Sequence, residues 1–127
     1  MNNQLPFDFD SAHYKSLYND LVHLTNEEAE KHYLNHGIIE KRLYKINDDF
    51  NPSVYRNIYK ELYKLTDKEV INHYITIGIH ENRKYKYEEV FNSKVYKSLN
   101  PDLRHLSDDE ALVHFYQIGL DENRKFV

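Results

Sequence analysis

The chain has 127 residues, with 17 basic and 21 acidic side chains and a net charge of −4, so it suits one ordinary domain or one short row of stacked units and lacks the basic surplus that phosphate binding demands. Nucleic acid is therefore not the expected partner. Cysteine is absent, which removes disulfides, thiol nucleophiles and cysteine-based zinc sites.

The opening "MNNQLPFDFD" has neither the basic n-region nor the apolar h-region of a secretory signal, and no stretch approaches the ~20 apolar residues of a membrane span. The expected location is the cytoplasm, or a host-cell cytoplasm. Twelve tyrosines without tryptophan, thirteen asparagines, and twelve lysines against five arginines are the usage of an AT-rich genome. The tyrosines therefore need positional support before they are read as a binding surface.

Self-comparison supplies that support. A unit of 41 residues begins at Phe9, Phe50 and Phe91 and repeats without insertion, giving units 9–49, 50–90 and 91–127 within a single repeat domain, 1–127. Nine positions are identical in all three copies, namely Phe9, Tyr14, Leu21, Leu24, Glu28, His32, Gly37, Glu40 and Arg42 with their counterparts 41 and 82 residues on.

In each unit the first helix opens at Asp10, Asn51 or Asn92, short polar acceptors suited to an N-cap, with Pro52 at N1 of the second copy. Tyr14, Leu17, Tyr18 and Leu21 form an amphipathic stripe, and Pro101 disfavours helix at Asn100, so this helix should stop near residues 18, 59 and 99. The second helix opens on a capping box, Thr25 with Glu28, Thr66 with Glu69 and Ser107 with Glu110, flanked by a hydrophobic staple from Leu24, Leu65 or Leu106 to Ala29, Val70 or Ala111. About eleven residues later Gly37, Gly78 and Gly119 are expected at the left-handed C′ position, with Ile38, Ile79 or Leu120 folding back on Tyr33, Tyr74 or Phe115 as in a Schellman motif. A short helical turn then leads to the next unit. Capping boxes and 3.6-residue stripes argue for helix rather than a β-trefoil, so the expected fold is all-α: three helix-loop-helix-turn units stacked as a short α-solenoid.

Stacking predicts polar outer faces. Copy one is polar at His13, Glu30 and His36, where its sisters are apolar, and copy three at Asn100, Arg104 and Asp121. The first set is expected to face away from the array at its start, the second at its end, with Val54, Ile71 and Ile77 of copy two packed against copy one.

The recurring polar residues His32, Glu40 and Arg42, then His73, Glu81 and Arg83, then His114, Glu122 and Arg124, admit two readings. They could form a cluster that recognises an anion or sugar hydroxyls. The stronger reading is structural: imidazoles near a negative helix end, and arginines bonded to carbonyls or to the neighbouring unit's glutamate. His32 and His36 share an i, i+4 spacing that suits a metal, but a third ligand is missing and the other copies carry isoleucine, so no metal site is expected. No Ser-His-Asp set, phosphate loop or HExxH motif is present; no catalytic residue and no cofactor are expected. Tyr14, Tyr33, Tyr55, Tyr74 and Tyr96 fall at core positions, whereas Tyr63, Tyr87 and Tyr116 are candidates for exposure.

The unit, Phe-Asp/Asn with Tyr five residues on, then L-x-x-L-S/T-x-x-E-x-x-x-H and G-x-x-E-x-R, resembles a tandem repeat of about forty residues in bacterial proteins, read as FD…Y…NPD(L/V)…HY…G…EGR. "FNSKVYKSLNPDLRHL" and "HFYQIGLDENR" carry the resemblance most fully. That family accompanies glycosyltransferases and large secreted or surface proteins, and similar units occur in AT-rich giant viruses. Lys41, Asn82 and Asn123 stand where the family often has glycine. The resemblance implies an accessory module. The expected function is a non-catalytic interaction or scaffold module that binds a protein or self-associates, the alternative being a glycan-binding accessory module of a glycosyltransferase system.

Overall fold

The computed structural model describes residues 4–127, and among these the protein is all-α, with no strand. The helices are α1 (Ser11–Leu17), α2 (Asn26–His32), α3 (Pro52–Ile58), α4 (Asp67–His73), α5 (Tyr87–Val90), α6 (Ser93–Leu99) and α7 (Asp108–His114). None of the described helices is long and apolar enough to cross a membrane. The chain divides into two compact units, Met1–Arg83 with the first copy and most of the second, and Lys84–Val127 with the end of the second copy and the third.

Each copy pairs its first helix with its second. Asp10 accepts from the His13 backbone N–H at 3.0 Å, and Asn51 and Asn92 cap α3 and α6 in the same manner, with Pro52 in the first turn of α3. These helices end at residues 17, 58 and 99 and are followed by single 3₁₀ turns, Asn19–Leu21, Lys60–Leu62 and Pro101–Leu103, which bury Leu21, Leu62 and Leu103. All three capping boxes form in both directions; Glu28 N–H donates to the Thr25 hydroxyl at 3.1 Å and Thr25 N–H to the Glu28 carboxylate at 2.9 Å.

The expectation for the glycines needs correction. The second helix runs on from α2, α4 and α7 into π-helical turns, Tyr33–Gly37, Tyr74–Gly78 and Phe115–Gly119, and none of these glycines has a positive φ. The left-handed residues are Lys41, Asn82 and Asn123, with φ of 59°, 59° and 53°. Ile38 N–H donates to Tyr33 O, continuing the π-helical turn, and the Schellman motif forms four residues later than expected: around left-handed Lys41, Arg42 N–H donates to Gly37 O at 2.9 Å and Lys41 N–H to Ile38 O at 3.1 Å. The glycines are small for another reason. A β-carbon on Gly37 would lie 2.5 Å from the Tyr14 hydroxyl, and Gly78 and Gly119 meet Tyr55 and Tyr96 still more closely. Glycine lets the phenol cross the helix backbone.

The core of each copy is aromatic. Tyr14, Tyr55 and Tyr96 are fully buried, each flanked by the repeat's opening phenylalanine and by Tyr33, Tyr74 or Phe115, with centroids between 5.3 and 5.5 Å. Such tilted and edge-on pairs add to what ring burial alone contributes. In the second compact unit Phe126 of the third copy closes the cluster against Phe115 and against Tyr87 from the end of the second copy. Tyr63 and Tyr116 are exposed as expected, whereas Tyr87 is half-buried in this cluster.

Two stacking expectations also change. Asn100 is buried, not on an outer face; its amide donates to Tyr96 O at 2.9 Å and to Lys125 O at 2.8 Å. It thereby reaches the carbonyl equivalent to Leu43 O, which Tyr18 reaches through its hydroxyl at 2.9 Å in copy one. His13 lines a groove together with Ile71 and Ile77 of copy two, so it lies on the side toward the second copy; Val54 is not among the groove's walls.

Candidate functional site

The repeated polar residues are brought together within each copy. The Tyr14 hydroxyl lies 3.0 Å from His32 Nδ1, Tyr55 lies 3.0 Å from His73 Nδ1, and Tyr96 lies 2.8 Å from His114 Nδ1. Burial pushes the Tyr14 phenol well above the usual tyrosine range and that of Tyr55 to about 12. Burial, reinforced by the nearby guanidinium, holds His32 and His73 below the usual histidine value. The neutral pair satisfies two polar groups where an aromatic core meets a helix.

The arginines do not bond to a neighbouring copy's glutamate. Arg42 donates through Nε to Glu40 at 2.8 Å and through both terminal nitrogens to Asp20 at 3.0 and 2.9 Å, and its guanidinium lies 4.7 Å from the Tyr18 ring centroid. Arg83 bonds Glu81 and Glu61 and covers Tyr59; Arg124 bonds Glu122 and Asp102 and touches Asn100. Asp20, Glu61 and Asp102 were not among the identical positions, because the repeat keeps their charge and not their identity. The arginine beside each holds its carboxyl below the usual range. The same blindness hid Lys15, Arg56 and Lys97, which reach from the first helix to the carbonyls of Leu24, Leu65 and Leu106 at 3.1, 3.2 and 3.0 Å. The recurring polar side chains thus tie the 3₁₀ turn, the last turn and the two helices of their own copy.

This geometry has a chemical consequence. Each trio sets one guanidinium against two carboxylates, a net charge of −1, and uses the Arg42 donors as a strut. It repels an anion where the sequence allowed one. His32 and His36 rings stand 5.5 Å apart, and among the described residues no group of three or more His, Asp or Glu side chains could hold a metal.

Two clefts open between the first and second copies, inside the first compact unit. The larger, about 720 Å³, has Leu17, Ile46, Leu65, Ile71 and Ile77 in its walls. The smaller, about 470 Å³, lies beside the Arg42 trio. Asn19, Asn72 and Thr76 line both, and the Asn72 amide reaches Leu17 O at 3.4 Å, so a polar ridge separates them. Comparison of the copies does not single out Asn19, Asn72 and Thr76, because these three positions differ from copy to copy. Neither protein-family models, curated proteins nor solved structures yield a match to the chain.

Proposed function

We propose that the protein is a non-catalytic helical-repeat module, of the kind its repeat resembles, that holds surfaces for a protein partner or a second copy of itself. The observation that carries this reading is a division of labour. Residues identical in every copy bond or pack inside their own copy, and where Glu40, Arg42, Leu65, Glu69 and His73 also reach the cleft walls, each cleft takes its individual character from positions that vary, such as Ile71, Asn72 and Thr76. A constant framework with variable surfaces is how repeat proteins present binding faces. The larger cleft adds apolar walls of the size that takes side chains of a partner.

Light scattering over a dilution series tests it. A mass above the 15.4 kDa monomer that falls when Ile77→Lys is introduced supports self-association through this surface. A monomer that binds glycans on an array favours the second reading, a glycan-binding accessory module, for which the polar lining of the smaller cleft speaks. A monomer with neither property and no protein ligand sinks both.

A further inference from the structure

We propose that the smaller cleft binds a neutral polyhydroxylated ligand, the chemistry of a sugar; this rests on the glycan-binding reading above. Its first wall is the Arg42 trio. Arg42 fixes the orientation of Asp20 and Glu40, and each carboxylate keeps lone pairs beyond those that the guanidinium occupies. Those lone pairs accept from hydroxyl groups, while the net negative charge disfavours phosphate, sulfate and uronate groups.

The facing wall supplies groups that both donate and accept. Asn72 and Thr76 stand one helical turn apart. Asn72 commits one amide hydrogen to Leu17 O, and Thr76 commits its hydroxyl hydrogen to Asn72 O at 2.7 Å, leaving the Asn72 side-chain oxygen and the Thr76 lone pairs open. Asn19 and His80 complete the rim, and their side chains make no hydrogen bond or ion pair among the described residues. Ile75, nearly fully buried, gives the floor an apolar patch. The volume, about 470 Å³, lies in the range of small-ligand sites.

The fold does not require this set. Asn19 and Asn72 correspond to Lys60 and Val113 one repeat later, and Thr76 and His80 correspond to Gln117 and Asp121. This combination of side chains is therefore peculiar to the cleft between copies one and two, and at the Asn72 position the third copy has no polar group at all. The Tyr18 ring is covered by Arg42, so recognition rests on hydrogen bonds and not on ring stacking.

The test is a two-dimensional amide NMR titration with maltose and cellobiose, with glucuronate as the charged comparison, alongside a glycan array on the same protein, any array hit being titrated in turn. A neutral sugar should shift the signals of Asn19, Asn72 and Thr76 saturably, with Kd on the order of 1 mM for so open a site. Glucuronate should bind more weakly. Asn19→Ala with His80→Ala, both at exposed positions that leave the core intact, should weaken binding about tenfold, the equivalent of one or two hydrogen bonds. Saturable shifts confined to other residues, or affinity unchanged in the double variant, would overturn the cleft assignment and leave the glycan reading standing. No array hit and no shift would overturn both.

Discussion

The Tyr14 hydroxyl occupies the space that a β-carbon on residue 37 would need, and the same clash recurs between Tyr55 and Gly78 and between Tyr96 and Gly119. Because the phenol is also bonded to His32, His73 or His114, it cannot swing aside without breaking that bond.

Gly78→Ala should therefore destabilise the protein by about 1–3 kcal/mol, the usual cost of overpacking a tight core, although alanine is the better helix former. Urea unfolding followed by circular dichroism checks it. A variant as stable as the parent would mean that the phenol relocates freely.

Lys41 holds a left-handed conformation at φ 59°, which asparagine, the residue at position 82, adopts more readily than a long side chain does. Lys41→Gly should raise stability by up to ~1 kcal/mol, and Asn82→Gly should change it little. The comparison of the two midpoints is the measurement; a destabilised Lys41→Gly would contradict the assignment of strain to this residue.

His32 and His73 have folded values below the ordinary 6.5. Between 6.5 and those lower values the unfolded chain binds more protons, so the contribution is complete above pH 6.5 and is lost as pH falls through the folded values. At the other end, Tyr55 ionises only near 12 when folded against 10.0 ordinarily. The folded state then holds the extra proton, and stability should decline as pH rises above 10. A stability profile against pH should show both limbs, and His32→Asn with His73→Asn should flatten the acid one. An unchanged acid limb in that variant would remove these histidines as its cause.

Thr66→Ala removes the hydroxyl that accepts from the Glu69 N–H and leaves only the reciprocal bond from the backbone N–H of residue 66 to the Glu69 carboxylate. A loss of about 1 kcal/mol is expected, read as a lower thermal midpoint. Thr66→Ser, which keeps the hydroxyl, should restore most of it.

Much of this fold is legible in the residues. Capping boxes, N-caps and the period of 41 state helix boundaries because they are local hydrogen-bond requirements written in short stretches of chain. The contacts across a copy were less visible. Asp20 with Arg42 spans 22 residues, and in the other copies the acid is Glu61 or Asp102, so counting identities misses a position that keeps only its charge. Glycine at a helix end usually signals a left-handed residue, but the constraint on Gly37 comes from a side chain 23 positions earlier, that of Tyr14. The resemblance placed glycine where Lys41, Asn82 and Asn123 stand, and that is where the backbone turns left-handed. Asn100 looked like an outer-face substitution, yet it replaces a tyrosine hydroxyl by an amide aimed at the equivalent carbonyl. The cleft residues could not be read at all, since nothing local marks Asn19 and Asn72 as neighbours.

The internal bonding of each copy also bears on how such a chain can change. Because the tyrosine-histidine bond, the arginine trio and the helix caps all close within 41 residues, duplicating or exchanging a copy carries its whole set of instructions along. Array length and surface chemistry can then vary independently of the cassette that supports them, and a cleft acquired between two copies need not be inherited by the next.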